Sequence, residues 1–219
     1  KGRFEQIGNL KNNSKVILDY AHTPDALKTV ILNIKKEYPL SKLSLVFGCG
    51  GNRDKEKRSA MGRIASRYCD KIYLTDDNPR FENPKSIRKQ TKKKINKSKL
   101  KEIPSRKKAI SVAIKELASG DILIVSGKGH ETYQEYLKRK SFSDKYEILK
   151  AINKKNQVLS NSIKTNILNE TFKDKILKKN ILINSASLNS KKIKKNSIFI
   201  GAKGRKFNGN LFANEAYKN

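Results

Sequence analysis

Between Lys15 and about Ile152 the chain alternates short apolar runs with stretches whose apolar residues recur at helical spacing. Val16–Asp19, Leu43–Phe47, Ile72–Leu74 and Ile122–Val125 are β-rich runs of strand length. From Pro24 to about Lys36, Leu27, Val30, Ile31 and Ile34 share one helical face, with Thr23 as N-cap and Pro24 at the first helical position. Further helices are predicted through Met61, Ile64 and Ala65, from Ser86 to about Ile95, and from Lys107 to Leu117. This alternation predicts an α/β fold: a Rossmann-like, mostly parallel sheet with flanking helices over residues 1–152. Beyond Ile152 the texture turns polar, which predicts a linker over 153–165 and a small, incomplete α+β or β-rich unit over 166–219. In that unit Ile181–Ile183 and Ser197–Ile200 read as short strands, with turn points at Gly201, Gly204 and Gly209.

An apolar share of 36% in 219 residues is enough for a modest core. No apolar run approaches the roughly 20 residues of a membrane span. The start at Lys1 carries neither Met nor a secretion-signal pattern, so the expectation is a cytoplasmic piece of a longer protein. The net charge of +30 would by itself suit a basic nucleic-acid-binding module, whose binding falls steeply with salt. The excess is spread along the chain, as in 91–97 and 193–198, which reads as solvated faces and argues against a nucleic-acid partner. Cys49 and Cys69 match neither a zinc cluster nor a redox pair, and are expected to be reduced, semi-buried thiols.

Chemistry-bearing residues gather where strands end, the edge at which open α/β sheets bind ligands. Asp19-Tyr-Ala-His22-Thr-Pro-Asp25 follows the first strand, and a carboxylate there can hold ribose hydroxyls or cap a helix. Gly48-Cys-Gly-Gly-Asn-Arg53-Asp54-Lys-Glu-Lys57-Arg58 combines close backbone approach with two arginines at a helix start, a setting for an anion. It lacks the Walker and dinucleotide fingerprints, so an ordinary glycine turn stays open. Asp76-Asp77-Asn78-Pro79-Arg80-Phe81-Glu82-Asn83-Pro84 offers carboxylates, an amide and a guanidinium to a zwitterion, although such a stretch also makes a capped turn. Gly127-Lys-Gly-His-Glu131 adds backbone N–H groups for a carboxylate and a glutamate for an ammonium.

In this order, and with Gly2-Arg3-Phe4-Glu5 ahead of them, the clusters resemble the C-terminal domain of the Mur ligases, ATP-dependent amino-acid-adding enzymes of peptidoglycan synthesis. The resemblance runs from Lys1 to about Ile152, and is nearest to members that add meso-diaminopimelate to the UDP-MurNAc-dipeptide. It implies that Arg53, Asp77, Asn78, Arg80, Gly127 and Glu131 bind meso-diaminopimelate, Asn78 and Arg80 holding its distal end. It also implies that Arg3, Asp19 and His22 face ATP. A lysine-adding relative would have no distal carboxylate for Arg80 to read.

What the family does implies the rest. ATP phosphorylates the acceptor carboxylate, the incoming amine attacks the acyl phosphate, and Mg2+ with a phosphate loop stabilises the transferring group. Neither that loop nor a carboxylate set for the metal occurs here, so ATP and Mg2+ are expected to be held mainly by a preceding central domain. This chain is therefore expected to supply no catalytic or metal-binding residue and to be inactive alone. The stretch Ile183–Ile200, with Gly204–Phe212, resembles the start of the N-terminal domain of the D-alanyl-D-alanine-adding ligase, whose UDP-binding pattern it departs from at Lys191, Asn208 and Asn210.

Overall fold

In the computed structural model, residues 2, 4–159, 163–164, 182–183, 185–193, 197–201 and 208–218 are described. Two compact units result, one from residues 1–10 and 14–158, the other from 11–13 and 159–219.

The first unit is built on strands β1 (Glu5–Gln6), β2 (Lys15–Asp19), β3 (Leu43–Phe47), β4 (Lys71–Leu74), β5 (Leu100–Glu102) and β6 (Ile122–Ser126), in spatial order β1-β2-β6-β3-β4-β5. Only β1 is antiparallel; β2, β6, β3, β4 and β5 run parallel, with Val16 opposite Leu123 and Leu45 opposite Ile124 and Ile72. Parallel strands buried on both faces need apolar side chains at successive positions, the pattern of the central runs. Ile17, Leu45, Phe47, Ile72 and Ile124 join one core cluster with Leu27, Ile31 and Ile34 of α1 (Pro24–Glu37), Met61 and Ala65 of α2 (Glu56–Tyr68), and Ile87 of α3 (Pro84–Lys92). Their neighbours in sequence, Val16, Leu18, Val46, Leu123 and Val125, are equally buried and point to the opposite face. On that side α4 (Arg106–Glu116) packs on β3, β4 and β6, while α5 (Asp144–Val158) packs on α4 and β2.

Caps set the helix starts. Thr23 accepts from the Ala26 N–H as predicted, and Ser105 accepts from Lys108. Asn83 accepts from Lys85 and Ser86, so α3 begins at Pro84, earlier than its apolar period suggests. Tyr133–Tyr136 (β7) and Lys138–Ser141 (β8) form an antiparallel hairpin around Leu137, which has φ +54°, and the sequence pattern gives no sign of it.

Two expectations meet a different arrangement. Helix α5 continues through 153–158, which polarity assigns to a linker, because its Lys155 is buried and donates to the carbonyls of Ile114 (2.8 Å), Lys115 (3.3 Å) and Leu117 at the end of α4. Cys49 and Cys69 are free but fully buried, and burial raises their thiols to about 11 and about 12.

In the second unit β9 (Ile163–Lys164) pairs antiparallel with β10 (Leu182–Ile183), and β11 (Ser185–Ser187) pairs parallel with β12 (Ser197–Phe199). A short helix, α6 (Ala213–Lys218), carries Glu215, which accepts from Ser190 Oγ at 2.6 Å. Of the predicted turn points, Gly204 lies outside the described residues. No helix among the described residues is long and apolar enough to cross a membrane.

Candidate functional site

Strands β2, β3, β4 and β6 end side by side, and the loops leaving β3, β4 and β6 surround a cavity of about 450 Å³. Arg53, Asp77, Asn78, Arg80, Gly127 and Glu131 all line it, with His22, Tyr20 and Tyr133. A larger groove of about 960 Å³ runs along α3 and β5 among Lys89, Lys92, Lys93 and Lys97. It holds none of the sequence clusters, and its one acid, Glu102, is engaged by Arg88 and Lys92.

The glycine run after β3 serves close packing. Gly51 N–H donates to Asn78 O at 2.9 Å, and a Cβ on Gly51 would fall 1.8 Å from Pro79 O. Arg58 is likewise no anion ligand: with 0% of its side chain exposed, it donates to Glu82, Gln90 and the Gly50 carbonyl. Those hydrogen bonds hold the Glu82 carboxyl at about 2. Arg53, five residues earlier, is exposed at the cavity rim.

The loop after β4 is braced from below and beside. Asp76 is buried against Arg88 and accepts from Tyr136 Oη at 2.9 Å. Gln134 donates to the carbonyls of Asp77 (2.8 Å) and Asp76 (3.2 Å). Asp77 forms the floor: burial pushes its pKa up, and its Oδ2 lies 3.6 Å from Arg106 Nη1 without a hydrogen bond. Gly127, at φ +116°, passes so close that a Cβ there would sit 2.9 Å from the same oxygen. Asn78 Oδ1 accepts from Lys128 Nζ (2.8 Å) and from the Glu135 N–H (3.0 Å), while Asn78 Nδ2 donates to Glu131 Oε2 at 3.0 Å. Arg80 has φ +54° and is pinned by backbone bonds to Glu135 and Leu137 in the hairpin. Its Nη1 donates to Gly51 O at 2.8 Å, and its Nε lies 3.4 Å from Glu135 Oε2.

The residues expected near a nucleotide are arranged differently. Asp19 is buried at the end of β2, its two carboxylate oxygens accepting from the Phe4 N–H (2.8 Å) and the Ala21 N–H (2.7 Å). His22 is exposed, 4.8 Å from the Tyr20 ring, and borders the cavity. Arg3 lies outside the described residues. Sequence reasoning missed Lys128, Gln134, Glu135 and the buried pair Arg106–Asp144, which together hold the cavity wall. Of these, only Lys128 sits inside a quoted motif.

Residues 2–129 match the sequence profile of the Mur ligase glutamate ligase domain. The UDP-N-acetylmuramoyl-L-alanyl-D-glutamate–2,6-diaminopimelate ligase of Rickettsia conorii is 52% identical over 135 residues, covering 61% of this chain and 27% of that protein. The ligase of the same name from Chlorobium phaeobacteroides is 48% identical over 151 residues, or 68% of this chain and 29% of its own. A solved structure of a ligase with that name superposes with TM-score 0.65 at 39% identity, over 70% of this chain and 32% of its own. The murein peptide ligase of Psychrobacter arcticus, at 18% identity and TM-score 0.51 over 73% of this chain and 31% of its own, shares the fold. The chain thus spans less than a third of the length of these relatives.

Proposed function

The chain belongs to the Mur ligase family, and from that premise we propose that it is the amino-acid-binding part of a ligase adding meso-diaminopimelate to UDP-N-acetylmuramoyl-L-alanyl-D-glutamate. The observation that carries this reading is the single cavity that gathers the donors Arg53, Asn78 and Arg80 with the acceptor Glu131. A zwitterionic end needs both: a planar guanidinium for the carboxylate and an acid for the ammonium. Arg80 is held half-engaged, with Nη1 on a carbonyl and Nε beside Glu135, so the fork is oriented before a ligand arrives.

ATP and Mg2+ belong to this reading through the family. When bound, ATP supplies the phosphoryl group that activates the acceptor carboxylate. Asp19 fits a ribose contact because its two backbone bonds leave lone pairs on an oriented carboxylate, and His22, three residues on, offers an exposed ring at the cavity border. Phosphate and metal binding are assigned to the preceding domain. The tail, read as the start of a D-alanyl-D-alanine-adding ligase, extends the proposal to two ligases joined in one chain.

Calorimetric titration of the 219-residue chain tests the central reading. Binding of meso-diaminopimelate with little response to L-lysine is expected, with Arg80→Ala removing the preference. Equal binding of both amino acids by the unaltered chain would sink it.

A further inference from the structure

Lys128 stands between two glycines at the cavity edge, where an outward side chain would meet an anion. It points inward instead, with none of its side chain exposed. Its Nζ donates to Asn78 Oδ1 at 2.8 Å and to Glu131 Oε2 at 2.9 Å, and lies 5.4 Å from the Tyr133 ring centroid. A buried ammonium is costly without such partners, so its placement requires both.

The bonds around it can be counted. Asn78 Oδ1 receives Lys128 and the Glu135 N–H, two donors that forbid the flipped amide. Glu131 Oε2 receives Lys128 and Asn78 Nδ2. Both residues line the cavity, and the donor and acceptor left over from these bonds are one N–H of Asn78 and the second oxygen of Glu131. Neither residue can exchange roles while Lys128 occupies the inner side of both.

We propose that Lys128 is a positioning residue for substrate selection. It locks Asn78 as a donor to a ligand carboxylate and reserves one Glu131 oxygen for a ligand ammonium. The inference rests on the amino-acid-binding reading above and adds to it the group that presets the polarity of the pair. Lys128 pairs with Glu131 at 2.9 Å, and its charge, after that of Arg106, also acts on the buried Asp77 at the same cavity. Burial raises the Glu131 carboxyl, but the hydrogen bond and charge of Lys128 outweigh it, and Glu131 lies below its ordinary value.

Two measurements on the 219-residue chain test this. In the unliganded chain, NMR of the Asn78 side-chain amide should show two distinct protons, the one donated to Glu131 being exchange-protected. Lys128→Met should release that proton and raise the Glu131 titration midpoint. A freely exchanging Asn78 amide in the unaltered chain overturns the proposal without any variant, which guards against Lys128→Met failing to fold. In calorimetry, Lys128→Met should weaken meso-diaminopimelate binding about tenfold or more. Combining it with Glu131→Gln should cost less than the sum of the two single losses, because the two changes share the Lys128–Glu131 contact while the part carried through Asn78 remains. Additive losses, or an unchanged midpoint for Glu131, refute it. Failure of the unaltered chain to bind meso-diaminopimelate would remove the functional reading, while the NMR result still decides whether Lys128 sets the pair.

Discussion

Arg106 meets Asp144 through two hydrogen bonds, Nε to Oδ1 at 2.8 Å and Nη2 to Oδ2 at 2.6 Å, with neither side chain exposed to solvent. The same Nη2 donates to Ser126 O at 2.9 Å, at the last residue of β6, and Nη1 faces Asp77 from 3.6 Å. One guanidinium therefore ties α4 to α5, to the end of a central strand and to the floor of the cavity.

Removing one partner of such a pair leaves an uncompensated charge buried from solvent, which costs on the order of 3–5 kcal/mol. Arg106→Met should approach that loss in urea denaturation, since Asp144 and Asp77 both lose their buried cation. The double change Arg106→Met and Asp144→Leu should recover part of the stability, as two apolar side chains carry no stranded charge. A double variant as unstable as the sum of the singles would show that packing, not charge, sets the cost.

Gly51→Ala tests the seat of the glycine turn on the loop after β4. Its Cβ would fall 1.8 Å from Pro79 O and 2.7 Å from Pro79 C, both backbone atoms that cannot swing aside. The expected outcome is a lower melting temperature together with weakened amino-acid binding. Gly50→Ala comes tightly against Arg80 Nη1 alone, at 3.0 Å, the far end of a side chain, with Asn78 O and Arg53 Cγ at the ordinary contact distances of 3.7 and 3.9 Å, and should be milder in melting temperature. Equal thermal shifts for the two would contradict this account of the turn.

The acid side of the stability profile follows from Glu82 and Glu116. Hydrogen bonds from Arg58 hold Glu82 at about 2, and Glu116, although burial pushes it up, is brought to about 2 by Lys101, Lys71 and Tyr73. Both folded values lie below the ordinary 4.5, so between those limits the unfolded chain binds more protons. Their contribution is complete above about 4.5 and is lost as pH falls toward 2. Urea midpoints should drop across that window, and Glu82→Gln should flatten the drop. A slope unchanged by Glu82→Gln would show that other carboxylates govern it.

The central strands were readable because burial on both faces demands nearly continuous apolar residues, as at Ile122–Val125 and, but for Ser44, at Leu43–Phe47. The six residues of the cavity were readable only through ordered motifs, since their spacing in the chain says nothing of the 2.8–3.0 Å bonds around Asn78 and Lys128. Arg106 and Asp144 are 38 residues apart in unremarkable helix starts, and no local pattern pairs them. Arg58 misled for a related reason. An arginine at a helix start after glycines suits an anion, yet here Glu82, 24 residues on, is the carboxylate that meets it. The hairpin β7–β8 carries few apolar residues, and what it contributes are polar braces, Gln134 and the Glu135 backbone.

Where the first unit ends is decided by Lys155. Read from polarity, residues 153–158 are a linker, and a chain cut after Ile152 should then be as stable as one cut after Val158. The structure puts Lys155 Nζ against the carbonyls of Ile114, Lys115 and Leu117 at the end of α4, where the Ile114 carbonyl also receives the Leu117 N–H at 3.3 Å. A hydrogen bond from a charged group to such a carbonyl contributes about 1.5–3 kcal/mol. Cutting after Ile152 should therefore lower stability by at least that amount relative to cutting after Val158, and Lys155→Met in the longer chain should reproduce most of the loss. If the two lengths melt alike, the last turns of α5 contribute nothing and the earlier boundary is the right one. If only the truncation is costly, the helix rather than its lysine closes the end of α4.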